Sequence, residues 1–489
     1  MTALPRPSRT GVRIAGDLYQ WLFVWQGCLR ALRDAQLHTD NPVVAVGVEV
    51  NGIGNLDDVA LYRASPPNDY AQVKYAVDNQ TPINEDYLLD ASSPTGNSIL
   101  GKIFATWQNL TTQGQPFELR LISNRAPDPH DPLVSRRDSR TQLLLPHAGT
   151  QGPASQAGQA RQRWAAALST TEEELLQFLG ALRFDIARDP EHVVELLQQL
   201  MFATGLRHDE AAVHSGTGWV ARQVRDGHRC LDLDLIRQAV EDLGLHRGPT
   251  RAILSVATLK PDPVRNDADY ALDWTDRFEG GDPYSKRRPA PPATWAELQT
   301  DIEQAPRRLP ADATAIAITG SLRLAPAFLL GTSFRMVTGT DLAVSQRGQS
   351  WSTNEPYEAP LQPLLEETPL DLGTDLAVAV AVAADLAPDV EHFIREQNLP
   401  AKRLLVLRPP GGTNDHSVPD SATANALATG MRDAVRRACR DTDKIHLFLA
   451  SPMGLALMLG HRWNRLRTTT VYEDLNRNPA YEAAFTIHA

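Results

Sequence analysis

Residues 43–49, VVAVGVE, are the most informative segment for the fold of the N-terminal half. It is short and almost continuously apolar, a pattern typical of a buried β-strand. Glu49 stands at the far end of this predicted strand. A carboxylate in such a position needs a partner, because an unpaired charge beside a buried strand is costly.

Two further strand candidates follow along the chain. Asp57 and Asp58 lead into the apolar residues 59–62, and a turn at residues 66–69, PPND, precedes a third candidate at residues 70–75. Strands separated by such short connections commonly lie side by side in one sheet. We therefore expect the ends of these three segments to be neighbours.

The third strand brings Gln72 and Lys74 to one face, because strand side chains alternate. Mg²⁺ or Mn²⁺ prefers oxygen ligands, which Glu49, Asp58 and the amide of Gln72 offer. A bound divalent ion lowers the pKa of its water and stabilises charge on phosphorus, and Lys74 would orient that water or neutralise the transition state. We predict a phosphodiesterase site at these four residues. Asp57 is the alternative to Asp58, which we prefer because it adjoins the strand.

This arrangement resembles the PD-(D/E)xK nuclease superfamily, with Gln72 in place of the usual second acidic residue. Its QxK form is similar to that in the nuclease domains of anti-phage effectors. Residues 16–21, GDLYQW, resemble the start of their first helix, with Asp17 as its cap. An apolar helical stripe continues from there through Leu18, Leu22, Trp25, Leu29 and Leu32.

The resemblance implies a restriction-endonuclease-like α/β core and a Mg²⁺-dependent endodeoxyribonuclease. The simpler alternative is that acidic residues at strand ends and an exposed Gln-Val-Lys triplet are common in proteins and carry no chemistry.

The chain has 489 residues, a formal charge of −11 and three widely spaced cysteines. Its length predicts two or three domains. The cysteines form no CxxC pair, which argues against disulfides and a zinc site and favours a reducing compartment. Without a recognisable signal peptide or an uninterrupted apolar span, the protein is expected in the cytoplasm and not in a membrane.

The negative charge is unusual for a DNA-binding protein, because DNA affinity rests largely on cations that meet phosphates. An arginine cluster follows the predicted nuclease strands and consists of Arg125, Arg136, Arg137, Arg140, Arg161 and Arg163. These side chains predict either a local basic surface for DNA or the solvated surface of a mobile linker, and both interpretations stay open at this point.

We expect the nuclease core to span residues 1–125, a loop or linker to span residues 126–160, and a helical extension to span residues 161–249. The loop prediction rests on a stretch rich in Pro, Ser, Gly and Gln that lacks periodicity. Capping signals that predict helices follow it.

From residue 250 onward, short apolar strands alternate with helices, which is typical of parallel sheets. The pattern also repeats. Residues 315–321 form a strand that passes into a helix ending at Gly331, and residues 445–451 form a strand that passes into a helix ending at Gly460. We predict two related Rossmann-like halves. Each strand-to-helix turn would present backbone N–H groups to an anion, unless its small residues merely allow a tight turn.

Residues 250–489 resemble the SAVED domain, a sensor of cyclic oligonucleotides built from two fused CARF-like units. The resemblance rests on the order of four segments, residues 320–324, 387–391, 408–412 and 445–460. Together with the nuclease-like front, the chain resembles the DNA endonuclease-SAVED effectors of bacterial CBASS anti-phage systems.

The resemblance implies a mechanism in two stages. A cyclic di- or trinucleotide from a partner nucleotidyltransferase would bind the SAVED half, drive homo-oligomerisation and release the nuclease to cut double-stranded DNA with little sequence preference. Candidate ligand contacts are helix-start turns, cations for phosphate and indoles for purine stacking. They are Ser321, Arg323, Trp351, Ser451, Arg462 and Trp463. Core packing explains the two tryptophans equally well.

A different class of function is a cyclic-nucleotide sensor whose nuclease-like domain is inactive and recruits another effector. The complete set of Glu49, Asp58, Gln72 and Lys74 argues against this alternative, because an inactive domain has little reason to carry all four. A nucleotide-hydrolysing enzyme is disfavoured, because the sequence contains no phosphate-binding loop with its lysine.

Overall fold

The computed structural model describes residues 8–50, 53–54, 56–90, 98–477 and 480–488. The chain divides into two compact units, residues 1–250 and residues 251–489. Among the described residues, no helix is long and apolar enough to cross a membrane.

The described part of the N-terminal unit contains one β-sheet, and α-helices precede, connect and follow its strands. Its elements in chain order are α1 (Arg9–Gln36), β1 (Val43–Val48), β2 (Val59–Arg63), β3 (Asn68–Lys74), α2 (Glu85–Leu89), α3 (Ile99–Thr112), β4 (Phe117–Ser123), α4 (Pro146–Thr150), α5 (Gln156–Ala167), α6 (Glu172–Ala181), β5 (Leu182–Asp185), α7 (Pro190–Ala203), α8 (Glu210–Arg225), β6 (Cys230–Asp232) and α9 (Leu233–Asp242). The strands predicted near residues 43–48, 59–62 and 70–75 are confirmed, although β3 begins earlier and includes two residues of the predicted turn.

The sheet has six strands in the order β5-β4-β3-β2-β1-β6. The strands β1, β2 and β3 form an antiparallel meander, and β4 and β5 continue the sheet in parallel from β3. The sheet therefore takes strands from beyond residue 125, where we expected the core to end. Sequence patterning missed β5 because it follows directly on the apolar periodicity of α6, and it missed β6 because three residues carry no period.

The segment predicted as a loop or linker, residues 126–160, contains α4 and the start of α5. The buried Asp131 organises the loop before them. Its Oδ1 accepts hydrogen bonds from the N–H groups of Leu133 (2.9 Å) and Val134 (2.8 Å), and its Oδ2 accepts one from Glu85 N–H (2.8 Å). A single carboxylate can thus order a stretch that lacks apolar periodicity.

Helix α1 begins earlier than the sequence indicated. Ser8 caps it, because the Ser8 side chain accepts a hydrogen bond from Gly11 N–H at 3.1 Å. Asp17 therefore lies inside the helix, and its assignment as the cap was wrong. The inner part of the predicted apolar stripe is confirmed, since Trp25 and Leu29 are buried, whereas Leu18 is 51% exposed.

The C-terminal unit contains two sheets. Its elements in chain order are β7 (Ala252–Ala257), β8 (Tyr270–Asp273), α10 (Trp295–Gln304), β9 (Ala315–Thr319), α11 (Leu324–Ser333), β10 (Asp341–Gln346), β11 (Gln349–Ser352), β12 (Leu364–Pro369), β13 (Asp375–Ala381), α12 (Ala387–Glu396), β14 (Ala401–Arg408), α13 (Ser421–Ala438), β15 (Ile445–Ala450), α14 (Met453–His461), β16 (Thr469–Asp474) and β17 (Tyr481–Ile487).

The two sheets have the strand orders β11-β10-β9-β7-β8 and β12-β14-β13-β15-β16-β17. The central strands of each sheet are parallel, and β11, β12 and β17 are antiparallel strands at sheet edges, whereas the edge strand β8 is parallel to β7. The prediction of two related α/β halves is confirmed, because β9-α11-β10 and β15-α14-β16 repeat one connection.

Helices α11 and α14 pack against each other at two glycines. A Cβ atom on Gly331 would lie 2.1 Å from the carbonyl oxygen of Leu457, and a Cβ atom on Gly460 would lie 2.1 Å from that of Phe328. Both helices run past the glycine at which we expected them to end. These glycines therefore permit a close helix–helix contact and do not terminate the helices.

Candidate functional site

The predicted catalytic residues lie where the pairing of β1, β2 and β3 ends. The last registered pairs are Val48–Val59 and Val59–Ala71. One residue beyond these pairs, Glu49, Asp58 and Gln72 occupy neighbouring positions across the three strands. Lys74 follows on β3 and shares the face of Gln72. The register thus places Glu49, Asp58 and Gln72 at neighbouring backbone positions, and the side chains of Asp58 and Gln72 are in contact.

Asp58 contacts β3 directly. Its Oδ2 accepts a hydrogen bond from the side-chain amide of Gln72 and another from Val73 N–H at 2.7 Å. Burial raises the pKa of Asp58, and the nearby Lys74 ammonium works in the opposite direction. These contacts favour Asp58 over Asp57, whose backbone oxygen accepts the N–H of Val50 at 3.0 Å.

Glu49 leaves the strand with a left-handed backbone conformation, φ 46°. Its carboxylate Oε2 contacts Nη1 of Arg229, a residue that no sequence pattern had indicated. The side chains of this ion pair are 43% and 42% exposed, so the pair is open to solvent.

The donor types fit a hard divalent cation. Glu49 and Asp58 supply carboxylate oxygens, and a cation beside Asp58 would compensate the burial that raises its pKa. The side-chain amide nitrogen of Gln72 points toward Asp58. A half-turn of this amide would be needed to bring its oxygen to a cation held by the Asp58 carboxylate. Within the described ranges, no group of three or more His, Cys, Asp and Glu side chains is arranged to hold a metal ion. Further ligands would therefore come from Gln72 or from water.

Helix α1 supports the site from a distance in sequence. Gln20, which is 9% exposed, donates a hydrogen bond from Nε2 to the backbone oxygen of Asp58 at 2.9 Å. The neighbouring Tyr19 donates from its hydroxyl to the backbone oxygen of Arg188 at 2.7 Å. The signal in the sequence was a polar residue in an otherwise apolar helical stretch, but nothing there identified its partner.

The members of the arginine cluster contact other groups of the N-terminal unit, which argues against both a free basic surface and a solvated linker. Arg137 is half-buried against Phe184, with its guanidinium carbon 3.7 Å from the ring centroid, and burial of the guanidinium lowers the pKa of Arg137 to about 9. Arg161 pairs with Glu172 at 2.6 Å. The remaining protein contacts are Arg125 with the Thr81 carbonyl, Arg136 with Gln151, Arg140 with Asp138 through its backbone N–H, and Arg163 with Glu85.

Of the predicted ligand contacts in the C-terminal unit, Ser321 and Arg323 are partly exposed. Ser321 lies in the turn between β9 and α11, and its hydroxyl oxygen accepts a hydrogen bond from Lys260 N–H at 3.2 Å. This turn is at the carboxyl edge of the parallel strands, as predicted from the sequence.

Arg323 is engaged in a buried ion pair. Its Nε lies 3.1 Å from Oε1 of Glu473, and its Nη2 donates to the backbone oxygen of Asp474 at 3.2 Å. The other carboxylate oxygen of Glu473 accepts the N–H of Ala325, in the first turn of α11, at 2.9 Å. Burial raises the pKa of Glu473 to about 7, although Arg323 and this amide favour its charged form. A protein carboxylate therefore takes the place at this helix start that we expected for a ligand anion.

The N-terminus of α14 has a matching arrangement with a neutral partner. Gly454 N–H donates to Oε1 of Gln346 at 3.0 Å. Glu473 lies on β16 and accepts a hydrogen bond from the first turn of α11, whereas Gln346 lies on β10 and accepts one from the first turn of α14. Each helix N-terminus is thus capped by a side chain from the other half of the unit.

The remaining four candidates are buried. Trp351 is 1% exposed and packs against Gly454. Arg462 donates from Nη2 to Asn425 Oδ1 at 2.7 Å, and Trp463 donates from Nε1 to the Thr469 hydroxyl at 2.9 Å. Ser451 is 8% exposed. We assign Trp351, Arg462 and Trp463 to the core, because no face of their side chains is open to a ligand.

Most of the C-terminal unit matches a known protein family. Residues 298–487 match the SAVED family, described as the "SMODS-associated and fused to various effectors sensor domain". The chain carries a SAVED domain. The matched SAVED segment begins within α10 and ends with β17, so it includes both α11 and α14.

Three known proteins are similar to this chain over nearly its whole length. CD-NTase-associated protein 4 of Enterobacter hormaechei subsp. hoffmannii (strain UCI 50) is 23% identical over 516 residues, which cover 96% of this chain and 98% of the relative. A solved Acinetobacter baumannii Cap4 SAVED/CARF-domain containing receptor, with the cyclic trinucleotide 3'3'3'-cAAA, is 15% identical, with 99% of this chain and 100% of that chain covered and a TM-score of 0.45. The Moraxella osloensis Cap4 receptor is 17% identical, with 97% and 99% covered and a TM-score of 0.43.

Proposed function

We propose that this protein is an anti-phage effector in which a cyclic oligonucleotide binds the SAVED domain and activates a metal-dependent DNA endonuclease in the N-terminal unit. The observation that carries the nuclease proposal is the strand register that aligns Glu49, Asp58 and Gln72, with Lys74 on the same face of β3. The sensor proposal is supported by the family match, whose description names a sensor domain.

In the N-terminal unit, Glu49 and Asp58 would hold a divalent cation, with Gln72 as a further oxygen donor. Such a cation, when bound, supplies Lewis-acid stabilisation of phosphate charge and a water of lowered pKa. Asp58 is held in place by Val73 N–H and by Gln20, so its carboxylate is oriented before any ligand arrives. Lys74 adds a positive charge where the transition state of phosphodiester hydrolysis gains negative charge.

Lys74→Ala tests the nuclease proposal. We expect the variant to fold and to bind ligand as the natural protein does, because Lys74 is a partly exposed residue at the end of β3. Plasmid cleavage should fall by at least about a hundredfold, the usual scale for removing a group that stabilises transition-state charge. Lys402→Ala is the matched control, since the Lys402 side chain is 45% exposed and pairs with Asp441 at the surface. Undiminished cutting by Lys74→Ala would refute the assignment.

In the SAVED domain, the partly exposed Ser321 and Arg323 are the residues that we propose for ligand contact. A cyclic di- or trinucleotide from a partner nucleotidyltransferase would act by binding the active, oligomeric state more tightly than the resting state, because a ligand shifts an equilibrium only by its difference in affinity. Plasmid cleavage should therefore require both Mg²⁺ and a cyclic oligonucleotide. Equal cleavage without any nucleotide would remove the sensor proposal and leave the nuclease proposal standing.

A further inference from the structure

Arg229 lies beside the proposed metal site although it is 180 residues away from Glu49 in the sequence. It precedes β6, the strand that pairs with β1 on the side away from β2. The Arg229 carbonyl accepts a hydrogen bond from Val48 N–H at 2.9 Å, which extends the β1–β6 ladder by one residue. This backbone contact places Arg229 next to Glu49, the residue after Val48.

The side chains of Arg229 and Glu49 meet. Nη1 of Arg229 contacts Oε2 of Glu49, and the left-handed conformation of Glu49, φ 46°, turns this residue out of the strand. Arg229 is permanently cationic, so it offers the Glu49 carboxylate the same charge compensation that a divalent cation would offer. Both side chains are more than two-fifths exposed, at 42% and 43%, so the contact can open without unpacking the core.

We propose that Arg229 is a positioning residue that competes with the divalent cation for the Glu49 carboxylate. This inference rests on the proposed nuclease function. In the cation-free protein Arg229 holds and neutralises Glu49, and a cation binds Glu49 only when the ion pair opens. Arg229 thereby sets the cation concentration that the site requires. The guanidinium that is released remains at the edge of the site, where it can meet the phosphate backbone of DNA.

The test measures Mn²⁺ binding to the full-length protein in the absence of DNA by isothermal titration calorimetry. We expect Arg229→Gln to bind Mn²⁺ about two- to fivefold more tightly than the natural protein, the range that corresponds to an exposed ion pair. Arg229→Lys should restore most of the weaker binding, because an ammonium also competes. Arg225→Gln is the matched control, since Arg225 is 73% exposed on the preceding helix and pairs with Asp226. The gain in Arg229→Gln should shrink as salt is raised, because the ion pair is screened.

A purely structural role for Arg229 predicts the opposite sign, since loss of a support for Glu49 would weaken Mn²⁺ binding. Unchanged or weaker binding by Arg229→Gln would therefore overturn the inference. Glu49→Gln separates this failure from a failure of the proposed function. If Glu49→Gln binds Mn²⁺ as well as the natural protein does, Glu49 is not a ligand and the metal site itself is wrong.

Discussion

Replacing Glu473 by glutamine removes a titrating carboxylate from the start of α11 while keeping an oxygen for the N–H of Ala325. Glu473 is 3% exposed and faces Arg323, with Arg287 and Asp474 also near enough to influence its charge. Burial is the largest influence on this group and raises the pKa of Glu473 from 4.5 to about 7. The stability of the natural protein should therefore depend on pH through this residue.

The sign follows from proton linkage. Below pH 4.5 the group is protonated in both the folded and the unfolded state and contributes nothing. Between pH 4.5 and about 7 the unfolded chain releases the proton and the folded protein retains it, so the free energy of unfolding falls as pH rises. At about 1.4 kcal/mol per pKa unit, the decrease amounts to about 3 kcal/mol, and it is complete above pH 7.

The assay is urea unfolding of the natural protein and of Glu473→Gln at several pH values from 5 to 8, with tryptophan fluorescence as the signal for unfolding. We expect the free energy of unfolding of Glu473→Gln, relative to that of the natural protein, to rise by about 2–3 kcal/mol across this range, because part of the decrease in the natural protein already lies below pH 5. Glu367→Gln is the control for the same chemical change on the surface, because the Glu367 side chain is 53% exposed. A difference for Glu473→Gln that stays constant with pH would refute the claim that burial disfavours the charged form of this carboxylate.

Two further predictions concern the packing of α11 and the ionisation of Asp58. Gly331→Ala should lower the free energy of unfolding by about 1–3 kcal/mol, because its Cβ would meet the Leu457 carbonyl oxygen. Gly411→Ala is the control and should have a small effect, because the space around Gly411 is open. Equal urea midpoints for the two variants would contradict the α11–α14 contact. Mn²⁺ binding should weaken on acidification at a higher pH than an ordinary aspartate would cause, because burial raises the pKa of Asp58 in the cation-free protein and a metal ligand must be ionised before it binds. A Mn²⁺ affinity that stays constant through that acidification would argue against Asp58 as a ligand.

Short-range patterns were sufficient for the strands and for the alignment of Glu49, Asp58 and Gln72 at their ends. The apolar run at residues 43–48 specified β1, and alternation placed Gln72 and Lys74 on one face of β3. The order of strands and turns then implied that the strand ends would be neighbours. These inferences depend on local geometry, which a sequence displays directly.

Contacts between distant segments could not be predicted in this way. Arg229 reaches Glu49 because β6 joins the sheet beside β1, and β6 has only three residues. Arg137 looked like surface charge, but it stacks on Phe184 inside the unit. Arg462 and Trp463 suited a nucleotide by side-chain type, yet their partners in the core decide their role. Burial of a long polar side chain depends on the tertiary fold and not on its neighbours in sequence.

We propose that Glu49, Asp58 and Gln72 surround one divalent cation beside Lys74. This can be measured in crystals of the full-length protein soaked in Mn²⁺, with diffraction data collected at the manganese absorption edge. We expect one anomalous peak within coordination distance, about 2–2.3 Å, of a carboxylate oxygen of Asp58 and near the Glu49 carboxylate. The absence of a peak at Asp58, at a Mn²⁺ concentration that supports plasmid cleavage in solution, would contradict it.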